Sequence, residues 1–207
     1  MAIWYGPAFK TAMNKEWDWD TDDIRVTLHT ASYALSRTAH TYVSDLTNEI
    51  AVGLGYTVGG LTLGGKSVPF VAANSWATAR ANSANYLIGD VVRPATANGF
   101  LYRAVVAGTS AASIPTYPTV VGTTVTDGGV TWLNVGTGIT QLIATDPSWA
   151  AATFTAVRYA AISDRTPGTA GTQPLIGFVD FGADQAGQGG EFTIDFAQSG
   201  LLHLFSP

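Results

Sequence analysis

The sequence predicts a mainly β fold: an antiparallel β-sandwich or barrel-like host domain, a small inserted β module and a short N-terminal helix. Three observations predict it. Apolar residues alternate in short runs, as in Ile24, Val26 and Leu28 against Arg25, Thr27 and His29, the period-2 pattern of a half-buried strand. The 23 glycines, with many Thr, Ser and Ala residues, suit turn-rich β structure. Finally, residues 77–137 carry a turn-rich pattern of their own between two strand-rich halves.

In chain order, "YGPAFKTAMNKEWDWD" predicts a short N-terminal helix within 5–19, with Pro7 early in it and Phe9, Met13 and Trp17 on one face. The strand "DDIRVTLHT" follows, then "TYVSDLTNEI" as a helical turn. The paired glycines of "GYTVGGLTLGGKSVPFVA" predict short strands joined by hairpins. After the middle segment, "ATFTAVRYAAI" is a strand and "SDRTPGTAGTQP" a turn. In "LIGFVDFG", Leu175, Gly177, Val179 and Phe181 alternate with Ile176, Phe178 and Asp180, so both faces are expected to be buried. "ADQAGQGG" reads as a loop, "EFTIDFA" as a strand showing Phe192, Ile194 and Phe196 to one side, and "GLLHLF" as the last strand.

The middle segment opens with "YLIGDVVRP", a tyrosine, a Gly-Asp turn, two valines and a proline stop. The polar joints "SWATARANSAN" and "NVGTGITQ" bound it. A surface loop accepts an insertion of this size at little closure entropy. The expected division is therefore 1–76 plus 138–207 as one discontinuous host domain, with 77–137 as the guest.

Composition narrows the function. Charged residues make up 12% and hydrophobic residues 46%. Ordinary soluble domains carry about 25% charged residues, so part of this surface is expected to meet another protein. The net charge is −5 and the ten basic residues form no run, which excludes nucleic acid as an expected partner. The start "MAIWYGPAFK" lacks the basic and apolar regions of a signal peptide, and no apolar run reaches the length of a membrane helix. No cysteine is present, so disulfides and thiolate nucleophiles are excluded.

Glu16, Asp18, Asp20, Asp22 and Asp23 cluster in "EWDWDTDD". They lack the central glycine and twelfth-position glutamate of an EF-hand loop, and they read as a solvated turn before the strand. A glycoside hydrolase would rest on this cluster alone. His29, His40 and His203 lie too far apart in sequence for a local metal motif. Gly60, Gly65, Lys66 and Ser67 match the bare P-loop spacing, but "VPFVA" follows where a helix is required. No catalytic residue, metal or cofactor is expected.

The segments "WDTDDIRVTLHTASYALSRTAHTYVSDLTNEI", "GYTVGGLTLGGKSV", "ATFTAVRYAAI" and "PLIGFVDFGADQAGQGGEFTIDFAQSGLL" resemble a family of bacteriophage virion structural proteins. The resemblance covers most of 16–72 and 139–202, and "YTVGG" and "LIGFVDFGADQ" carry it best. It implies a capsid decoration or cementing role on the outer virion surface after synthesis in the host cytoplasm. The major capsid protein would be the partner, and a homotrimer is expected from how decoration proteins often sit. Tail placement, as an adhesin or fibre component, is the alternative. The insert is similar to the small β modules of phage proteins and, loosely, to chitin-binding modules. That likeness makes a glycan a further expected partner. Tyr86, Tyr102, Tyr117 and Trp132 are its contact candidates, because sugar C–H faces pack on exposed rings. Tyr86 and Trp132 are expected to be core, and Tyr117, beside Thr116 and Pro118, is the preferred platform.

Overall fold

A computed structural model describes residues 2–53, 55–196 and 202–206. It is mainly β, with antiparallel ladders and little helix. In chain order the elements are β1 (Ile3–Trp4), α1 (Ala8–Met13), β2 (Ile24–Thr30), β3 (Leu61–Thr62), β4 (Phe70–Ala72), α2 (Ala73–Trp76), β5 (Asn85–Tyr86), β6 (Val91–Val92), β7 (Leu101–Val106), β8 (Gly108–Thr109), β9 (Thr124–Asp127), β10 (Val130–Gly136), β11 (Gly138–Leu142), β12 (Ser148–Asp164), β13 (Leu175–Thr193) and β14 (Leu202–Ser206).

The chain forms two compact units. The first comprises 1–68 and 142–202, the second 69–141 and 203–207. These boundaries differ from the expected 77–137. Strands β4 and β11 and the last strand from His203 onward belong with the second unit, because β14, β11 and β4 form one sheet. No local pattern could tie residues so far apart in sequence.

The first unit is built on an open five-stranded sheet in the order β1-β13-β12-β2-β3. Its edges do not close, so the barrel alternative does not hold and the sandwich-like reading does. Ile24, Val26 and Leu28 enter a core with Ala160, Ile162, Ile176 and Trp149. The opposite face is covered as well. Tyr5, Ala8, Val43, Leu175 and Phe178 pack there, and Thr27 and His29 of β2 are also buried. The expected half-buried strand is thus buried on both faces.

A register shift explains how one strand serves both cores. Ile162 pairs with Gly177 and its neighbour Ser163 with Leu175, so Ile176 is an extra residue in β13. A bulge of this kind reverses the alternation. Leu175 and Phe178 therefore share a face, while Ile176, Val179 and Phe181 contribute to the other core. The simple alternation expected for this strand is corrected at that point.

Other local expectations shift too. The N-terminal helix spans only Ala8–Met13 and buries Ala8 and Thr11, and Met13 is 85% exposed. The predicted helical turn is a single 3-10 turn at Val43–Asp45, with the Asp45 carboxylate accepting the backbone N–H groups of Thr41 and Tyr42 at 2.7 and 3.0 Å. Strands β3 and β4 do not pair with each other; they join β2 and β11. The segment expected as the loop "ADQAGQGG" is strand, since β13 runs through it to Thr193. Ile194 and Phe196 lie beyond that strand and are buried. Ala197 and the start of the predicted last strand, Gly200 and Leu201, lie outside the described residues.

The second unit has a four-stranded sheet in the order β6-β7-β10-β9, with β5-β8 as a small ladder beside it. One face carries Val92, Tyr102, Ala104, Tyr117, Val130 and Trp132. On the other face Leu101, Val91 and Val135 pack with Ile139, Val71 and Phe205 of the sheet β14-β11-β4.

Candidate functional site

The four rings expected to meet a glycan turn toward one another. Tyr102 and Trp132 have no exposure and Tyr117 keeps only 9%. Tyr102 and Tyr117 lie 4.4 Å apart by ring centroid, and the half-buried Tyr86 sets its edge on Trp132 at 4.9 Å. The Tyr102 hydroxyl donates to the Pro118 carbonyl at 2.8 Å, and the Tyr86 hydroxyl accepts the Ala81 N–H at 2.8 Å. Tyr117 is therefore a core residue and not a platform. The core of this small unit is built largely from its aromatic rings, and the Thr-Tyr-Pro loop folds the Tyr117 ring inward to complete the cluster.

A polar centre beneath these rings was not read from sequence. Arg80, placed in a polar joint, and Asp127 form an ion pair at 2.6 Å with no side-chain exposure. Asp127 Oδ2 accepts from Arg80 Nε and from Trp132 Nε1, each at 2.9 Å. Its Oδ1 accepts the Ala111 N–H at 3.0 Å. The remaining Arg80 nitrogens donate to the carbonyls of Ala111 and Ser113 and to Asn82. Burial by itself would raise the Asp127 carboxyl, but these donors outweigh it and hold the group below its ordinary value. Both side chains are buried with their charges met by partners within the unit, which fixes the loop at Ala111–Ser113 and the Trp132 ring. An arginine followed by a turn-rich segment and "VTDGGVTW" was the only available signal, and it is not a specific one.

The histidines are likewise absorbed into packing. His29 Nε2 meets the Thr27 hydroxyl and Nδ1 meets the Thr47 carbonyl, both at 2.8 Å. Burial lowers its pKa. The His40 ring meets the Tyr33 hydroxyl at 2.7 Å, and Tyr33 contacts the Tyr5 hydroxyl at 3.1 Å. His203 lies on β14.

The acidic turn holds itself together. Asp18 Oδ1 accepts the N–H groups of Asp20 and Thr21, and Asp22 Oδ2 accepts that of Asp18. Asp23 pairs with Arg25 at 2.6 Å, and Glu16 accepts from Tyr42 at 3.0 Å. Among the described residues no three His, Asp or Glu side chains converge as a metal site would need. At the P-loop-like stretch, Lys66 donates to the Asp22 carbonyl. Gly60, at φ +74°, lies where a Cβ would sit 2.0 Å from the Val26 carbonyl. The glycine serves the close approach of this turn to β2, and Ser67 bridges to Ile143.

What faces outward is apolar side chains and a cleft. In the second unit Leu87 and Ile88 are 72% and 71% exposed. They occupy a tight turn fixed by the Asp90 carboxylate, which accepts the Leu87 N–H at 2.8 Å. In the first unit a cleft of about 390 Å³ lies between Asn48–Gly53 and Thr153–Thr155. No family model, no curated protein and no solved structure matches this chain.

Proposed function

We propose that the chain is a non-catalytic structural protein of a bacteriophage virion that decorates or cements the capsid shell. The sequence resemblance motivates this reading, and the observation that carries it is a surface poor in charge yet rich in exposed aliphatic side chains. Leu87, Ile88, Val120, Val52 and Val58 are all more than half exposed on a chain with only 12% charged residues. Adjacent exposed apolar groups, such as the neighbours Leu87 and Ile88, suit a surface that meets another protein. The partner in this reading is the major capsid protein, engaged by several copies of the chain, and a trimer suits three-fold shell positions.

Glycan contact through Tyr86, Tyr102, Tyr117 and Trp132 forms no part of the proposal, since these rings pack on one another. Purified protein added to shells stripped of it should rebind and raise their thermal resistance, because a ligand that binds only the intact state stabilises that state. A copy number matching the shell lattice agrees with the reading. Shells that take up none, with a few copies found at the tail instead, would transfer the role to a tail component.

A further inference from the structure

In the second unit the loop between β6 and β7 ends in the only asparagine of the chain that is followed by glycine, Asn98 before Gly99. Asn98 is exposed, while Tyr102, just beyond it on β7, is fully buried. The Phe100 N–H donates to Asn98 Oδ1 at 3.1 Å. An N–H can only donate, so the amide oxygen faces it and the amide nitrogen is left for the other side. There Asn98 Nδ2 donates to the Tyr102 hydroxyl at 2.8 Å. Both ends of the amide are thus held.

The bond from Oδ1 to the N–H two residues on closes an Asx turn. The Gly99 nitrogen is a member of that closed ring, so the side-chain carbonyl is folded back toward it. Gly99 stands at φ +85° and has nothing within 4 Å of the place a Cβ would take. No side chain crowds the approach of the Gly99 nitrogen to the amide. At every other asparagine the next residue carries a side chain.

We propose that Asn98 is a self-modification site, at which the chain converts this asparagine to aspartate and isoaspartate through a cyclic imide with Gly99. A bond forms between the Gly99 nitrogen and Asn98 Cγ, and the Cγ–Nδ2 bond breaks. The Gly99 N–H proton passes to water. The departing nitrogen takes a proton from the Tyr102 hydroxyl, which regains one from solvent, and leaves as ammonia. Water then opens the imide at either of its two C–N bonds. One water is consumed and one ammonia released, with no change of oxidation state.

The surroundings suit each step. The Phe100 N–H is aimed at the oxygen that gains charge when the nitrogen attacks. The Tyr102 hydroxyl lies within hydrogen-bond reach of the leaving nitrogen, as a general acid must. The held turn replaces a search through side-chain rotamers by a fixed approach. The product differs from its parent at the same place, because a carboxylate at 98 cannot donate to Tyr102. The Tyr102 hydroxyl, which donates to the Pro118 carbonyl, is then drawn toward the new acceptor, while Asn134 Nδ2 still holds Pro118 at 2.9 Å. This inference does not depend on the virion reading.

The test incubates the full chain at neutral pH, native and unfolded in guanidinium chloride, and follows residue 98 by peptide mapping with mass spectrometry. A gain of one dalton at residue 98 is expected, with both aspartate and isoaspartate present and one ammonia released per chain converted. The native chain should react about tenfold faster than the unfolded one, because only the native loop holds the amide in place. Tyr102→Phe keeps the ring and should slow the native reaction by about tenfold or more, leaving the unfolded rate unchanged. A native rate equal to or below the unfolded rate overturns the proposal, and this comparison needs no variant. So does conversion at residue 98 no faster than at Asn82, or a folded Tyr102→Phe chain that reacts as fast as its parent.

Discussion

Asp127 accepts from Arg80 Nε and Trp132 Nε1 through one and the same oxygen, and neither member of the ion pair reaches solvent. Removing one partner of such a pair leaves a buried charge uncompensated, at a cost of about 3–5 kcal/mol. Arg80→Ala should therefore unfold the second unit. The check is a ¹⁵N correlation spectrum in which the amides of 84–135 collapse to random-coil positions. A spectrum that stays dispersed would mean that the pair contributes little.

Tyr117 separates two roles cleanly. Its hydroxyl is buried without a hydrogen-bond partner among the described residues, so Tyr117→Phe should leave stability unchanged or raise it by about 1 kcal/mol. Tyr117→Ala removes a packed ring and should cost about 3–5 kcal/mol. Denaturant titration of both variants decides; a mild alanine effect would return the ring to the surface.

The chain leaves the first unit after Val68 and returns at Leu142. Ser67 and Ile143 exchange backbone hydrogen bonds at 3.0 and 2.9 Å, so the two ends already lie side by side. Replacing 69–141 with a short Gly-Ser linker, and ending the chain at Leu202, should leave a unit that unfolds cooperatively, because closing so short a loop costs little. Calorimetry without a cooperative transition would show that the first unit needs the second.

His29 links stability to pH. Its pKa is lowered by burial, with Glu49 favouring and Arg165 opposing the charged form. The folded state thus holds the neutral ring while the unfolded chain takes up a proton below about pH 6.5. Stability contributed by the neutral ring is complete above that pH and is lost as pH falls from there toward the folded-state value. Melting temperatures of the chain and of His29→Gln, measured between pH 8 and pH 5, should converge as the pH drops. Parallel curves would remove His29 from the account.

Ala156 carries its side chain at φ +59°. A left-handed backbone costs an L-residue roughly 1–2 kcal/mol, which glycine avoids. Ala156→Gly should be neutral or stabilising by up to about 1 kcal/mol after glycine's own entropy cost. A β-branched residue fits that region worst, so Ala156→Val should destabilise. Equal midpoints for the two variants would contradict the geometry.

Much of the first unit was legible because its strands obey local rules. Ile24, Val26 and Leu28 alternate and do form the strand that enters the core. Burial of Thr27 and His29 was not legible, since the segment from Tyr33 to Thr47 that meets them is joined to β2 only by the fold. The bulge at Ile176 hid itself in the same way, because an extra residue is defined by the partner strand. Arg80 was read as part of a polar joint; its partner Asp127 lies 47 residues away. The rings of the second unit were visible as a set, but which of them turn inward is decided by packing.

The long pairing of β12 with β13 is broken by repeated register shifts, and Gly182 and Gly189 bend β13 with positive φ. Along β13, shifts and bends of this kind interrupt the row of backbone groups on which another strand could template itself. A chain with so few charges has weak electrostatic protection against clumping in a crowded cell. Its colloidal behaviour rests on crooked strands, and substitutions that straighten β13, such as Gly189→Val, would be paid for in fibrils and inclusion bodies before any loss of binding.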